Sequence, residues 1–410
     1  MSRIALMTTA LAISSLCCAE TLTPAWVELG DANRVIARVI IDGGACPAIQ
    51  IDGTSRPMDQ RSPVPAGFRP LCESTIPATA SKASVNGQAL VLPVRDFKNA
   101  LVLGDTGCRI QGNRIQACND PVAWPFKKVA ALAAAENPQL IVHVGDYLYR
   151  EEECPKEAQD KCAGSKSGDN WETWREDFFT PAAELLRAAP WAFVRGNHES
   201  CARSWRGWFY YLDPGPWTGA CTEVSAAYTI QSINPPITMF DTSTASDNNM
   251  STDAVKKLSD ALSRVADRKG WIAAHHPFWA VRLDNASNKP DNGNKGLQQV
   301  WSDAKPKGFD LILSGHTHLF ELLTFDTLPV QVVAGMGGTQ LANPLPRSLG
   351  GVSVGSSMVM SGDSRTDFGY LVLSKNTTGW DLSLKSAASQ ITLRCSIRGH
   401  DAQCPSAAQR

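Results

Sequence analysis

The 410-residue chain lacks the features that most often place a sequence at a glance. It has almost no net charge: a formal −1 and a pI near 6.7 leave no basic face for nucleic acid and no cationic patch for an anionic membrane. No apolar run after the N-terminus is long enough for a transmembrane helix. No C-x-x-C pair exists, which argues against a thiolate metal site. There is no internal repeat, and low complexity is confined to the polar loop "DNASNKPDNGNKG" at 284–296. Histidine is scarce, with seven in the chain, so their placement carries information. What remains is an ordinary globular composition, 43% hydrophobic, enough for one large core or two unequal ones.

The first 19 residues carry Arg3, a short apolar stretch and small residues ending at Ala19, and the polar "ETLTPAW" follows. This reads as a signal peptide rather than a buried helix, and it predicts a secreted or periplasmic protein. Cleavage would remove Cys17 and Cys18 and leave ten cysteines, an even number in an oxidising compartment. Pairing of sequence neighbours predicts Cys46 with Cys72, Cys108 with Cys118, Cys154 with Cys162, Cys201 with Cys221 and Cys395 with Cys404.

Residues 20–95 show short alternating apolar stretches broken by Gly, Pro and Ser, the texture of a small β-rich N-terminal domain. From residue 96 to about 385 apolar strands alternate with amphipathic segments, which predicts a layered α/β domain, and 386–410 is a tail with one disulfide. Strands are expected in "NALVLGD", "QLIVHVGD", "WAFVRGN", "ITMFDTS", "WIAAHH", "DLILSGH", "VQVVAGMGG" and "YLVLS". Helices are expected from about Trp124 to Glu136, in "NWETWREDFFTPAAELL", and in "TDAVKKLSDALSRVADRKG", the last capped by Thr252 and stopped before Gly270.

Five strand ends finish alike: "GDTG" at 104–107, "GDYLY" at 145–149, "GNHE" at 196–199, "AAHHP" at 273–277 and "GHTH" at 315–318. In open α/β sheets such ends converge on one site, and glycine permits the sharp turn and close approach. Five of the seven histidines lie in these motifs. His143, inside "LIVHV", reads as a satisfied core histidine, and His400 carries no assignment. Carboxylate, phenol, amide and imidazole together suit iron, zinc or manganese over calcium.

The ordered set G-D-x-G, G-D-x-x-Y, G-N-H-E, x-x-x-H and G-H-x-H resembles the calcineurin-like metallophosphoesterases, in their purple acid phosphatase version. The resemblance implies a layered β-sandwich flanked by helices, with a small β-rich domain before it. It also implies two metal ions bridged by Asp146: one held by Asp105, Asp146, Tyr149 and His318, the other by Asp146, Asn197, His275 and His316. Fe(III) with a divalent Zn, Fe or Mn is the pair it favours. Most of that superfamily opens with D-x-H; here Gly107 stands in the histidine's place and Tyr149 restores the count. His276 is left behind the ligands or facing substrate. By the same likeness the catalytic group comprises His198, Asp146 and Asn197, with His198 as acid, Glu199 orienting it, and a metal-bound hydroxide as nucleophile. Arg109, Arg150 and Arg195 beside the motifs are read as surface ion pairs rather than phosphate forks. The expected activity is hydrolysis of small phosphate monoesters. A phosphodiesterase acting on nucleotides or lipid headgroups, and a silent metal-containing binding module, are the alternatives.

Overall fold

The computed structural model describes residues 20–247, 249–283 and 293–404. The expected leader at 1–19 and most of the polar loop lie outside the described residues. Two large sheets stack face to face, and helices cover both outer faces. All eight expected strands form. In the first sheet Asn99–Leu103, Ile141–His143 and Trp191–Phe193 run parallel, with Leu103, His143 and Phe193 level with one another. In the second, Ile237–Phe240, Lys269–Ala274, Gly308–Ser314 and Val330–Ala334 run parallel in that order.

Strand alternation explains the layering. Val102, Val142 and Ala192 point inward and meet Met239, Trp271, Ala273, Leu311 and Val332 of the second sheet in one core. Leu101, Leu103 and Ile141 point outward and receive the helix Phe126–Ala134. The outer face of the second sheet is covered by Thr252–Ser263 and Lys295–Ala304. Buried on both faces, the parallel strands read as near-continuous apolar runs rather than alternating ones.

Residues 20–95 form strands as expected, and four of them, Asp59–Gln60 at the edge included, are built into the first sheet. Trp26–Leu29 pairs in parallel with Trp191–Phe193, and Val35–Ile40 and Leu71–Ile76 follow outward. A separate four-stranded sheet holds Ala48–Ile51 and Ala83–Val85. At the opposite edge Gly369–Lys375, Trp380–Ser386 and Ile391–Arg398 continue the first sheet, so much of the C-terminal tail is strand. All five expected disulfides are present.

Local details differ from expectation for clear reasons. The helix at 252–263 is capped by Ser251, whose hydroxyl accepts from the Ala254 N–H at 3.1 Å, rather than by Thr252. It ends well before Gly270, which lies inside the strand Lys269–Ala274 with φ +97°. The aromatic segment becomes Trp171–Trp174, a wider turn at Arg175–Phe179, then Ala183–Leu186. It feeds an aromatic cluster in which Tyr147 meets Trp174, Phe178, Phe193 and Trp208.

Gly207 lies in a short helix against this cluster, where a Cβ would overlap the Trp174 indole. Helix propensity alone would favour alanine there by about 1 kcal/mol. Overpacking against a fully buried indole wins, so Gly207→Ala is expected to cost about 1–3 kcal/mol. A lower urea midpoint at unchanged slope would register it.

Candidate metal centre

The five motifs meet where the parallel strands of both sheets end. Asp105, Asp146 and Asn197 leave the first sheet; His275, His316 and His318 leave the second. Backbone bonds lace the strand ends together: Asp105 N–H to the Gly145 carbonyl at 2.9 Å, Gly315 N–H to the His275 carbonyl at 2.9 Å, and Gly337 N–H to the Gly104 carbonyl at 3.0 Å. Asp105, Asp146 and His316 all adopt left-handed backbone, with φ of 56°, 61° and 69°. Such conformations are rare outside glycine and gather at functional sites. At Gly196 a Cβ would collide with the Asp146 carboxylate, so that glycine is needed for close approach.

The side chains form two clusters that share one oxygen. The Tyr149 hydroxyl donates to Asp146 Oδ2 at 2.7 Å, lies 3.0 Å from Asp105 Oδ1, and meets His318 Nε2 at 3.0 Å. Across Asp146 Oδ2, His275 Nε2 lies at 3.1 Å. It also contacts Asn197 Oδ1 at 3.0 Å, as does His316 Nδ1 at 3.0 Å. Bonds of about 2.0–2.2 Å from a first-row ion to nitrogen and oxygen imply donor–donor edges of roughly 3 Å, which these separations match. The mixed oxygen and nitrogen set suits transition ions, so the residues present fit a two-ion centre.

Outer contacts hold the imidazoles in place. His275 Nδ1 donates to the Val144 carbonyl at 2.8 Å and His318 Nδ1 to the Gln340 carbonyl at 2.9 Å. His316 turns Nε2 to Asp247 Oδ2 at 2.8 Å. Partners of this kind fix tautomer and ring direction at metal sites. Burial opposes the charge on Asp105, but hydrogen bonding to His318 and the charge of His275 outweigh it and hold the carboxyl below its usual range. Asp146 is held well below its range by His275 and His198 against the same burial penalty. His275 is pushed up to about 9, the two aspartates overcoming burial. Burial first, then Asp105 and Asp146, drives the Tyr149 phenol well above its ordinary value. A bound cation inverts such local preferences.

His143 is a satisfied core residue: its Nε2 bonds Thr106 at 3.1 Å, its Nδ1 accepts from Gly145 N–H at 3.2 Å, and burial pushes it down to about 3. His276 is buried and its ring packs against that of His316, tilted by 33° with centroids 3.9 Å apart, its Nδ1 having no partner among the described residues.

His198 is packed between charged groups. Its ring centroid lies 3.7 Å from that of Tyr149, its Nδ1 faces Glu151 Oε1 at 2.7 Å and the Leu148 carbonyl at 3.2 Å, and Arg203 reaches the ring. Burial lowers its pKa against the pull of Asp146 and Glu151. The expectation that Glu199 orients His198 is not met. Glu199 is fully buried and accepts backbone N–H bonds from Asp146, Tyr147, Leu148 and Gly196, because four inward N–H groups at this turn need an acceptor. The three motif-side arginines are also not surface ion pairs: Arg109, Arg150 and Arg195 are all buried. Arg150 pairs with Asp177 at 2.6 Å and Arg195 with Asp241 at 3.1 Å.

A cavity of about 470 Å³ opens over Asp146, Asn197, His198, His316 and His318, within the range for small ligands. The family model for calcineurin-like phosphoesterase matches residues 99–320, which hold every donor named above. The chain belongs to the calcineurin-like phosphoesterases. It is accordingly a metal-dependent phosphoric ester hydrolase. Among solved structures it is similar to the purple acid phosphatase PPD1 from yellow lupin (Lupinus luteus) seeds: 15% identity, TM-score 0.55, covering 91% of this chain and 73% of that one. It is also similar to PhoD: 9% identity, TM-score 0.53, covering 93% and 91%. No curated protein matches the sequence.

Within this calcineurin-like fold the departure at Gly107 has a steric cause. A Cβ there would lie 2.5 Å from the Tyr147 carbonyl oxygen and 2.9 Å from Asp177 Oδ2. Asp177 occupies the space and accepts the N–H of Tyr149 at 2.8 Å and of Cys108 at 3.1 Å. The loop that carries Tyr149 inward leaves no room for a histidine at 107. Asp177, Asp247, Glu151 and Arg203 escaped sequence reading, because none lies in a strand-end motif.

Proposed function

We propose that this calcineurin-like phosphoesterase is a secreted or periplasmic phosphomonoesterase with a dinuclear Fe(III)–divalent centre. The observation that carries the reading is the convergence of both donor clusters on one oxygen, Asp146 Oδ2. Asp105, Asp146, Tyr149 and His318 would hold one ion, and Asp146, Asn197, His275 and His316 the other. When bound, the pair supplies Lewis acidity that lowers the pKa of a water and clamps the attacking and leaving oxygens of an in-line displacement. Asp146 sets the spacing of the two clusters, and the anchored imidazoles keep their donor atoms turned inward. His198 has Nδ1 engaged by Glu151 and the Leu148 carbonyl, and its Nε2 lies 3.8 Å from Asp146 Oδ2. Arg203 Nη2 also lies 3.0 Å from that nitrogen, and we read His198 Nε2, in its protonated form, as the group that would pass a proton to the leaving oxygen. The cavity volume suits a small phosphorylated substrate. Five disulfides support an oxidising compartment. We read residues 96–385 as the catalytic unit, with 20–95 as an annex to its first sheet.

One preparation tests this. Metal analysis should find two ions per chain, and the visible spectrum a tyrosinate-to-iron band that Tyr149→Phe abolishes. Turnover of p-nitrophenyl phosphate should exceed that of bis(p-nitrophenyl) phosphate. A colourless, fully active zinc protein would overturn the iron assignment; a preference for the diester would favour the phosphodiesterase reading; metal without turnover of either ester would leave a silent binding module.

A further inference from the structure

Six arginines are buried among the described residues: Arg38, Arg61, Arg109, Arg150, Arg195 and Arg365. Five have a carboxylate partner: Glu28, Glu73, Asp177, Asp241 and Asp363 respectively. Arg109 has none. It is only 8% exposed, it lines the cavity over the metal donors, and its Nε has no hydrogen-bond partner among the described residues. Its guanidinium carbon lies 4.9 Å from the centroid of the Tyr149 ring. That contact satisfies the flat face of the cation, but the N–H donors lie in the plane of the fork and a ring face below them takes none. Keeping that Nε–H donor buried without an acceptor is unfavourable.

The placement of Arg109 is built. Cys108 beside it is joined to Cys118, closing a small loop. Within the loop Arg109 N–H donates to Gln116 Oε1 at 3.1 Å and its carbonyl accepts the Gln116 N–H at 2.8 Å. Gln116 in turn accepts from Gln340 N–H at 3.1 Å, and the Gln340 carbonyl is the anchor of His318. The guanidinium is thus held in register with one donor cluster by a stapled hairpin.

We propose that Arg109 is a specificity-determining residue that binds unesterified oxygens of the substrate phosphoryl group and favours monoesters over diesters. This rests on the phosphoesterase reading above. A guanidinium fork matches two oxygens of a phosphate at once, which a lysine ammonium does not. A monoester offers three unesterified oxygens and carries more negative charge than a diester, which offers two. The fork therefore gains more from the monoester, in the ground state and as charge redistributes during transfer.

The test compares the full-length wild type with Arg109→Ala and Arg109→Gln, the latter a longer polar replacement in case the alanine variant folds poorly. Turnover of p-nitrophenyl phosphate and bis(p-nitrophenyl) phosphate is measured, with inorganic phosphate binding by calorimetry, metal content and thermal midpoint. Expected are a loss of about 10²-fold in monoester kcat/KM, the scale of one oxyanion donor, and phosphate binding weaker by about tenfold or more. The diester rate should fall clearly less than the monoester rate, so that the monoester-to-diester ratio drops by about tenfold, at unchanged metal content. An equal fall on both esters would overturn the proposal, and phosphate binding left intact would overturn it too and leave Arg109 as packing for Tyr149. If the wild type turned over neither ester, the phosphoesterase reading would fail separately. Phosphate binding that then did not weaken in either variant would overturn the role of Arg109 as well.

Discussion

Asp146→Asn is expected to lower kcat/KM for p-nitrophenyl phosphate by about 10³-fold or more, equivalent to about 4 kcal/mol of transition-state stabilisation. It is also expected to leave the purified protein with fewer than two ions per chain. Asparagine is the informative replacement because position 146 has φ +61°, which asparagine tolerates and alanine resists. The backbone bonds of the turn can therefore persist, including the Asp146 N–H to Glu199 Oε2 at 3.1 Å. What changes is the shared oxygen: one carboxylate oxygen becomes an NH2 group, and the negative charge common to both clusters is lost. Metal analysis beside steady-state kinetics reads both effects. A variant with two tightly held ions and activity within tenfold of wild type would sink the bridging role.

His198→Ala should reduce kcat by about 10²–10⁴-fold with metal content unchanged, because its imidazole belongs to neither donor cluster. The leaving group makes the test specific. p-Nitrophenolate departs without a proton far more readily than an alkoxide does, so the loss should be larger on an alkyl phosphate such as glycerol phosphate. Equal losses on both substrates, or loss of metal, would assign His198 a structural part instead. Its surroundings make that distinction worth drawing. Its backbone N–H donates to Asp146 Oδ1 at 2.9 Å and its ring lies against Tyr149, so it touches the donor set without being part of it.

The parts of this molecule that the sequence makes legible share a local cause. Eight strands could be read because parallel strands buried on both faces are short, dense apolar runs. The candidate donors stand out because each follows such a run, most of them beside glycine. Gly196 shows that the glycine serves its neighbour, keeping free the volume that the Asp146 carboxylate enters. The five disulfides followed sequence proximity. By contrast, the helix Lys295–Ala304 was hidden behind a polar loop, and the strand Phe320–Thr324 ran on from "GHTH" without a break in texture. Ser251 rather than Thr252 caps its helix because two adjacent hydroxyl residues look alike until the backbone is placed.

What the sequence could not disclose acts through tertiary proximity. Asp177 holds Tyr149 from 28 residues away, and Asp247 meets His316 across 69. Glu151 and Arg203 contact His198 although they lie on separate loops. Glu199 belongs to a motif, yet its partners are backbone donors of another turn. Charged residues outside periodic elements leave no trace of their partners in a single sequence. The same blindness applied to Arg109, Arg150 and Arg195: all three are buried, and only their surroundings separate two structural ion pairs from one unfilled fork.

The division of donors between the two sheets also orders events in time. Asp105, Asp146 and Asn197 stand on one sheet and His275, His316 and His318 on the other, and the contact between the Asp105 carboxylate and the His316 N–H spans 211 residues. Contacts that distant form only after long loops have closed. A half-folded chain with one sheet in place offers Asp105, Asp146 and Asn197 without His275, His316 and His318, or the reverse. The centre is therefore a late product of folding, and a chain that can assemble it has already docked its two halves.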